Sequence, residues 1–188
     1  MNHLLSGDGY LSVGDRAPCF ELPDSSFNAV CPEKIANEVV LAFFPAAFSG
    51  SLHRGCECQL RAMNEDLSGL AESEEVAIFG IGRELPFTMA AWSKGMELKF
   101  PLLSDANLEV SKAFVGVCDL GSMLAHRSRG CGSLKGYLSP NRGVVVIKGG
   151  TVVYKWVGMD GDSGAPNPSL LPDLAPVKRV LSRDRGRL

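Results

Sequence analysis

The stretch Val39-Val-Leu-Ala-Phe-Phe44, which Pro45 ends, carries the strongest fold signal in this chain. A continuous apolar run of this length indicates a strand that is buried on both faces of a sheet. A loop rich in glycine and serine follows, and apolar residues then recur three and four positions apart: Leu60, Met63, Leu67 and Leu70. This periodicity predicts a helix that begins near Cys56.

Outside that stretch, strand and helix patterns continue to alternate. Residues 76–81 form a second apolar run, and Pro86 stands where a proline suits the first turn of a helix. Two runs rich in β-branched residues, 143–148 and 151–157, flank Gly149-Gly150 and predict a β-hairpin. Strands and helices that alternate and end in a hairpin predict an α/β sandwich with a mixed sheet.

Length and composition limit the classes of protein to consider. The chain has 188 residues, of which 45% are hydrophobic, and a formal net charge of −2. We expect a single domain over residues 1–188, with a flexible arm at 1–12, a long insertion or loop at 116–140 and a C-terminal extension at 158–188. A net charge near zero gives no electrostatic reason to expect nucleic acid binding. No apolar stretch reaches the ~18–20 residues that span a membrane.

The start of the chain has no basic segment followed by an apolar core. We therefore expect a protein that is not secreted and that resides in the cytoplasm or in the interior of an organelle. Six cysteines are too few for a disulfide scaffold in a chain of this length. Reduced thiols are the expectation for all six: Cys19, Cys31, Cys56, Cys58, Cys118 and Cys131.

Cys56 differs from the other cysteines because it stands at a predicted helix start. The unpaired N–H groups and the dipole there favour an anion, so a thiolate at this position would be stabilised. The sequence therefore predicts a nucleophile at Cys56, with an inert packing residue as the alternative. A metal site of His53, Cys56 and Cys58 is a second alternative, but these soft ligands lack a fourth partner nearby. We expect neither a metal nor another cofactor.

Six segments, in their order and spacing, carry a resemblance to a known family: residues 13–24, 40–49, 56–63, 79–87, 100–105 and 141–148. Two of them are Val13-Gly-Asp-Arg-Ala-Pro-Cys-Phe-Glu-Leu-Pro-Asp24 and Cys56-Glu-Cys-Gln-Leu-Arg-Ala-Met63. Over residues 12–157 the chain resembles the peroxiredoxins of the alkyl hydroperoxide reductase C and thiol-specific antioxidant group. The resemblance implies a thioredoxin-like three-layer sandwich, with a central mixed sheet flanked by helices.

The resemblance also implies a peroxide site and an activity. In that family a Pro, a Thr or Ser, a Cys and an Arg hold and attack the peroxide. Carried onto this chain, Pro45 would shield the thiolate, Ser49 would hydrogen-bond the peroxide, Arg142 would polarise it and Cys56 would attack it. The implied function is reduction of hydrogen peroxide or alkyl hydroperoxides through a cysteine sulfenic acid. The implied partners are a thioredoxin-like or glutathione reductant and a second copy of the chain in a homodimer.

One departure from the family pattern concerns spacing. The family motif places the Cys three residues after the Thr or Ser, whereas Cys56 comes seven residues after Ser49. Either residues 50–55 hold a four-residue insertion, or Leu52 occupies the catalytic place. Four residues span about 6 Å of helix or about 13 Å of extended chain, enough to separate the two side chains unless the extra residues loop out. Gln59 stands where the family has Glu, and it removes a carboxylate that would anchor an arginine.

Three cysteines are candidates for the thiol that resolves a sulfenic acid at Cys56. Cys131, in the Gly-rich stretch 116–140, is the favoured candidate, and Cys118 is the second. Cys58 fits a packing residue better than a resolving thiol. An alternative function is that of a catalytically impaired, peroxiredoxin-like accessory or binding subunit of a larger assembly. A disulfide reductase is disfavoured because the chain has Cys-Glu-Cys rather than Cys-x-x-Cys.

Overall fold

The computed structural model describes residues 10–50, 55–67, 69, 76–127 and 129–182. Its strands are β1 (Leu22–Pro23), β2 (Ala29–Val30), β3 (Glu38–Phe43), β4 (Val76–Gly82), β5 (Leu102–Ser104), β6 (Val117–Asp119), β7 (Leu138–Pro140), β8 (Gly143–Lys148) and β9 (Thr151–Val157). Its α-helices are α1 (Cys56–Asp66), α2 (Pro86–Met96), α3 (Glu109–Phe114), α4 (Leu120–Arg127) and α5 (Ala175–Ser182). Short 3-10 helices cover Pro32–Lys34 and Arg129–Leu134.

Five strands form a central mixed sheet in the order β5-β4-β3-β8-β9. β3 is parallel to β4, and β4 is parallel to β5, whereas β8 is antiparallel to both of its neighbours. The apolar run that begins at Val39 forms most of β3 at the centre of the sheet, where residues 39–43 are all buried. A strand covered on both faces cannot alternate polar and apolar residues, which explains the continuous run. The predicted mixed sheet is confirmed.

Helices cover both faces of this sheet. Val40 and Ala42 of β3 pack into a cluster with residues of α1, α2 and α5, whereas Leu41 and Phe43 pack into a second cluster with α3 and the N-terminal segment. The helix predicted to begin near Cys56 is confirmed as α1, and three residues of its apolar stripe are fully buried: Leu60, Met63 and Leu67. Leu70 lies outside the described residues.

The predicted hairpin is confirmed as β8 and β9. Gly149 and Gly150 turn the chain with φ angles of 53° and 75°. These left-handed values suit glycine, which has no Cβ to clash with the preceding carbonyl. The turn pairs β8, which begins directly after Arg142, with β9.

Residues 116–140, the predicted long insertion or loop, lie outside the central sheet and are regular in structure. They contain β6, α4, a 3-10 helix and β7, and β6 pairs antiparallel with β7. The Asp119 carboxylate caps α4 by accepting hydrogen bonds from the N–H of Ser122 at 2.8 Å and from its hydroxyl at 2.6 Å. A Cβ at Gly121 would lie 1.6 Å from the carbonyl oxygen of Leu134. The sequence does not reveal these elements, because residue type alone does not distinguish a glycine that permits close packing from a glycine in a loop.

Both ends of the described chain pack onto the domain. Leu11, expected within a flexible arm, is buried, and its N–H donates to the Ala113 carbonyl at 2.9 Å. The remainder of the predicted arm, residues 1–9, lies outside the described residues. In the C-terminal extension, α5 buries Val177 and Leu181, and Pro176 lies in its first turn, where a proline does not interrupt the helix. Across the described residues, no helix combines the length and the apolar character needed to cross a membrane.

Candidate active site

Cys56 is the first residue of α1 and follows Gly55, whose backbone is extended with φ −76° and ψ 173°. Its side chain is 2% exposed. It lines a cavity of about 650 Å³ together with Pro45, Ser49 and Arg142. The sulfur therefore lies at a helix N-terminus, where the unpaired N–H groups favour negative charge. The structure brings all four predicted site residues to one cavity.

The ends of the segment between Ser49 and Cys56 meet. The N–H of Cys56 donates to Oγ of Ser49 at 3.2 Å, although the two residues are seven positions apart. A Cβ at Gly55 would lie only 1.8 Å from the carbonyl oxygen of Gly50, whose φ is +94°. Two glycines therefore let the backbone return on itself and place Ser49 against the helix start. The 3.2 Å contact between Ser49 and Cys56 is the one that the insertion alternative requires. Leu52, the residue of the other alternative, lies outside the described residues.

Arg142 enters the cavity from the residue before β8. Its side chain is buried, and Nη2 lies 3.5 Å from Sγ of Cys56. Nε and Nη2 also donate to the carbonyl oxygen of Pro168, at 3.0 Å and 2.7 Å. This carbonyl belongs to the C-terminal extension and was missed by the sequence reasoning, because no local pattern marks a backbone oxygen as an arginine anchor. The guanidinium is thereby held toward the sulfur.

Gln59 anchors Arg142, which corrects the expectation that losing the family's carboxylate removes this anchor. Oε1 of Gln59 accepts from Nη1 of Arg142 at 2.8 Å. The Nε2 amide donates to the carbonyl oxygens of Phe43, at 3.2 Å, and Gly143, at 3.4 Å. A neutral amide can accept from the guanidinium and also donate to two carbonyls, which a carboxylate cannot do.

The loop after β3 is held by Glu84, a second residue that the sequence reasoning missed. Its Oε1 accepts from the N–H of Ala47 at 2.6 Å. Burial raises the pKa of this carboxyl group, against the opposing effect of that hydrogen bond. The contact fixes the turn between Pro45 and Ser49, so both residues face the cavity.

One wall of the cavity is apolar. Leu120, Met123 and Leu124 of α4 line it, and among its described lining residues Arg142 alone carries a charge. A cationic group in a largely apolar cavity attracts anions strongly, because little water screens it. The site can therefore hold a thiolate and a small polar molecule beside it.

The candidate resolving cysteines differ in their surroundings. Cys58 is half-buried and Cys118 is buried. Burial, together with the charge of Asp119, raises the pKa of Cys118 to about 11. Neither residue lines the cavity as described. The side chain of Cys131 lies outside the described residues, and so does His53 of the alternative metal site. Within the described part of the chain, no group of three His, Cys, Asp or Glu side chains could hold a metal ion.

Comparison with known proteins yields one family and several relatives. The model of the AhpC/TSA family matches residues 13–155. Alkyl hydroperoxide reductase E of Mycobacterium tuberculosis is 31% identical over 128 residues, which cover 63% of this chain and 80% of that protein. Peroxiredoxin Bcp of Escherichia coli is 28% identical over 104 residues, or 55% of this chain. The match spans 64% of the length of Bcp, less than two-thirds.

A solved structure supports the same fold. The crystal structure of reduced Plasmodium vivax 2-Cys peroxiredoxin matches with a TM-score of 0.66 and 21% identity, covering 93% of this chain and 82% of that one. At this identity the likeness concerns the fold alone. It confirms the thioredoxin-like α/β sandwich expected from the sequence.

Proposed function

Because the chain belongs to the AhpC/TSA family, we propose that it is a thiol-dependent peroxidase that reduces hydrogen peroxide or alkyl hydroperoxides at Cys56. The observation that carries the proposal is the 3.5 Å distance between Nη2 of Arg142 and Sγ of Cys56, in a cavity that Ser49 also lines. A thiol nucleophile, a fixed cation and a hydroxyl are the groups that this reaction needs.

The first step is attack of the Cys56 thiolate on one oxygen of the peroxide. An S–O bond forms as the O–O bond breaks, and the departing oxygen takes up a proton to leave as water or an alcohol. Arg142 stabilises the negative charge that moves from the sulfur to the departing oxygen. Its hydrogen bonds to Gln59 and to the Pro168 carbonyl hold it in place, so little reorganisation is needed during the reaction.

Ser49 and Pro45 complete the proposed site. The Ser49 hydroxyl oxygen accepts from the Cys56 N–H, which leaves the hydroxyl proton for the peroxide. Pro45 carries no backbone N–H and lines the cavity, so it covers the sulfur without competing for hydrogen bonds. The apolar residues of α4 would contact the organic part of an alkyl hydroperoxide.

The second step returns the sulfur to the thiol. A thiol attacks the sulfenic sulfur to form a disulfide and release water, and a dithiol or glutathione then reduces that disulfide. We propose a thioredoxin-like or glutathione-type reductant. The resolving roles of Cys131, Cys118 and Cys58 stay predictions, as does the homodimer.

The test measures peroxide consumption by the full chain with a thiol reductant. The native protein should consume peroxide rapidly, with a proportional loss of reductant thiol, and Cys56→Ser should abolish this rapid turnover. Cys19→Ser, at an exposed cysteine that does not line the cavity, is the matched control and should keep the native rate. A Cys56→Ser variant as active as the native protein would refute the proposal.

The accessory-subunit alternative predicts a different geometry. A sulfur farther than ~8 Å from the guanidinium would be beyond contact through one bridging peroxide and would favour that alternative. The 3.5 Å distance between Arg142 and Cys56 is much shorter and supports the peroxidase proposal. Purification within a larger assembly, without peroxidase activity, would favour the alternative.

A further inference from the structure

A second pair of cysteines lies away from the cavity. Sγ of Cys19 and Sγ of Cys31 are 3.2 Å apart. Because a disulfide bond is about 2.05 Å long, the two sulfurs need to approach by only about 1 Å more to form one. The pair flanks the hairpin of β1 and β2, and neither residue lines the cavity that contains Cys56.

The backbone on both sides of this pair is anchored. Before Cys19, the N–H of Ala17 donates to the Gly150 carbonyl at 2.9 Å, and after it Phe20 is buried against Phe114. Cys31 immediately precedes the 3-10 helix Pro32–Lys34, and its carbonyl accepts from the N–H of Lys34 at 3.0 Å. The fold therefore holds the two sulfurs near each other, which is the geometric requirement for a disulfide.

The two cysteines differ in exposure. Cys19 is exposed, whereas Cys31 is 6% exposed. An oxidant from solution reaches the first sulfur, and the second lies within reach of the oxidised product. We propose that Cys19 and Cys31 form a second redox site, at which a hydroperoxide oxidises the two thiols to a reversible intramolecular disulfide.

The chemistry balances with the peroxide as the only oxidant. The Cys19 thiolate attacks one peroxide oxygen, so that an S–O bond forms, the O–O bond breaks and water or an alcohol leaves. Sγ of Cys31 then attacks the sulfenic sulfur, so that an S–S bond forms and the hydroxyl group leaves as water with the Cys31 proton. Together the thiols lose two electrons and two protons. A dithiol reductant reverses the reaction by exchange.

The hydrogen bond and the surroundings of Cys19 make this site slower than a dedicated peroxide site. The hydrogen bond with Cys31 raises the pKa of Cys19, burial and the charge of Glu33 raise it further, and Lys34 opposes them. Burial raises the pKa of Glu33, and the charge of Arg16 opposes this effect. Since the thiolate is the nucleophile, the pair oxidises slowly at neutral pH and faster as the pH rises. It therefore responds to sustained rather than brief exposure to peroxide.

The experiment uses the full chain carrying Cys56→Ser, so that its outcome does not depend on the proposed peroxidase. The protein is exposed to hydrogen peroxide at mildly alkaline pH, its remaining thiols are alkylated and it is digested with trypsin. Arg16 and Lys34 bracket one tryptic peptide, residues 17–34, which contains both cysteines of the pair and no other. This peptide should lose two hydrogens and carry no alkyl group, and dithiothreitol should restore double alkylation.

Two further variants in the Cys56→Ser background test the pairing. With Cys19→Ser, Cys31 should stay alkylatable after the same treatment. With Cys58→Ser, the matched control, the oxidised peptide should form as before. The proposal would be overturned if peptide 17–34 stayed doubly alkylated after prolonged exposure, if Cys19 accumulated as sulfinic acid, or if the disulfide joined two chains.

Discussion

Nη2 of Arg142 lies 3.5 Å from Sγ of Cys56, although 86 positions separate the two residues in the sequence. The same guanidinium donates to the Pro168 carbonyl and to Gln59. The cation is thus fixed beside the sulfur before any peroxide arrives, and fixed charges contribute most to catalysis when they need not reorganise.

Arg142→Lys should lower kcat/KM for peroxide by about 10²-fold, as expected when one donor to a developing anion is lost. Lysine keeps the positive charge but cannot donate to Gln59, the Pro168 carbonyl and the substrate from one planar group. Steady-state peroxide consumption measures the effect. Arg179→Lys, at an exposed position of α5, is the matched control and should leave the rate unchanged. A native rate in Arg142→Lys would contradict this role for the guanidinium.

Gly55→Ala should lower peroxidase activity by about 10²-fold, because small misplacements of reacting groups have effects of this size. The added Cβ would lie 1.8 Å from the Gly50 carbonyl oxygen, so the contact between Ser49 and Cys56 cannot persist. Gly95→Ala in α2 is the control. Its Cβ meets nothing within 4 Å, and the protein should gain about 0.5–1 kcal/mol in free energy of unfolding. Equal activity of Gly55→Ala and the native protein would argue against this closure.

Gln59→Leu should lower the free energy of unfolding by about 1–3 kcal/mol, because buried partners lose their hydrogen bonds. The Phe43 and Gly143 carbonyls would lose their side-chain donor, and Arg142 would lose an acceptor. Urea unfolding followed by circular dichroism measures the change. Arg61→Gln, on the exposed side of α1, serves as the control and should unfold at the native midpoint. An unchanged midpoint for Gln59→Leu would show that this network adds nothing to stability.

Cys118 should resist alkylation in the native protein at neutral pH. Burial raises its pKa to about 11, so the thiolate fraction is small and should grow as the pH approaches that value. Iodoacetamide labelling followed by peptide mass spectrometry measures the rate, and rapid labelling of the same peptide in denaturant is the control. If Cys131, the favoured candidate, is the resolving thiol, Cys118→Ala keeps full turnover. A variant that stalls as a sulfenic acid would instead identify Cys118 as the resolving thiol.

Local patterns in the sequence were sufficient for most of the fold. The apolar run that became β3, the three-and-four spacing of α1 and the Gly-Gly turn before β9 each depend on near neighbours. The same dependence on near neighbours explains why the regular elements within 116–140 are not visible in the sequence. Position 121 requires glycine because the Leu134 carbonyl packs against it. The two residues are 13 positions apart, and a local sequence pattern does not show a contact over that separation.

The sequence by itself determined the elements of an α/β sandwich and placed Cys56 at a helix start, because periodicity and helix-end chemistry reside in adjacent residues. Only the tertiary structure decided that Ser49 meets Cys56 and that a neutral Gln59 anchors Arg142. The physical reason is that these contacts depend on the close approach of Gly50 to Gly55 and on the position of β8 beside β3. Spacing along the chain does not measure distances of that kind.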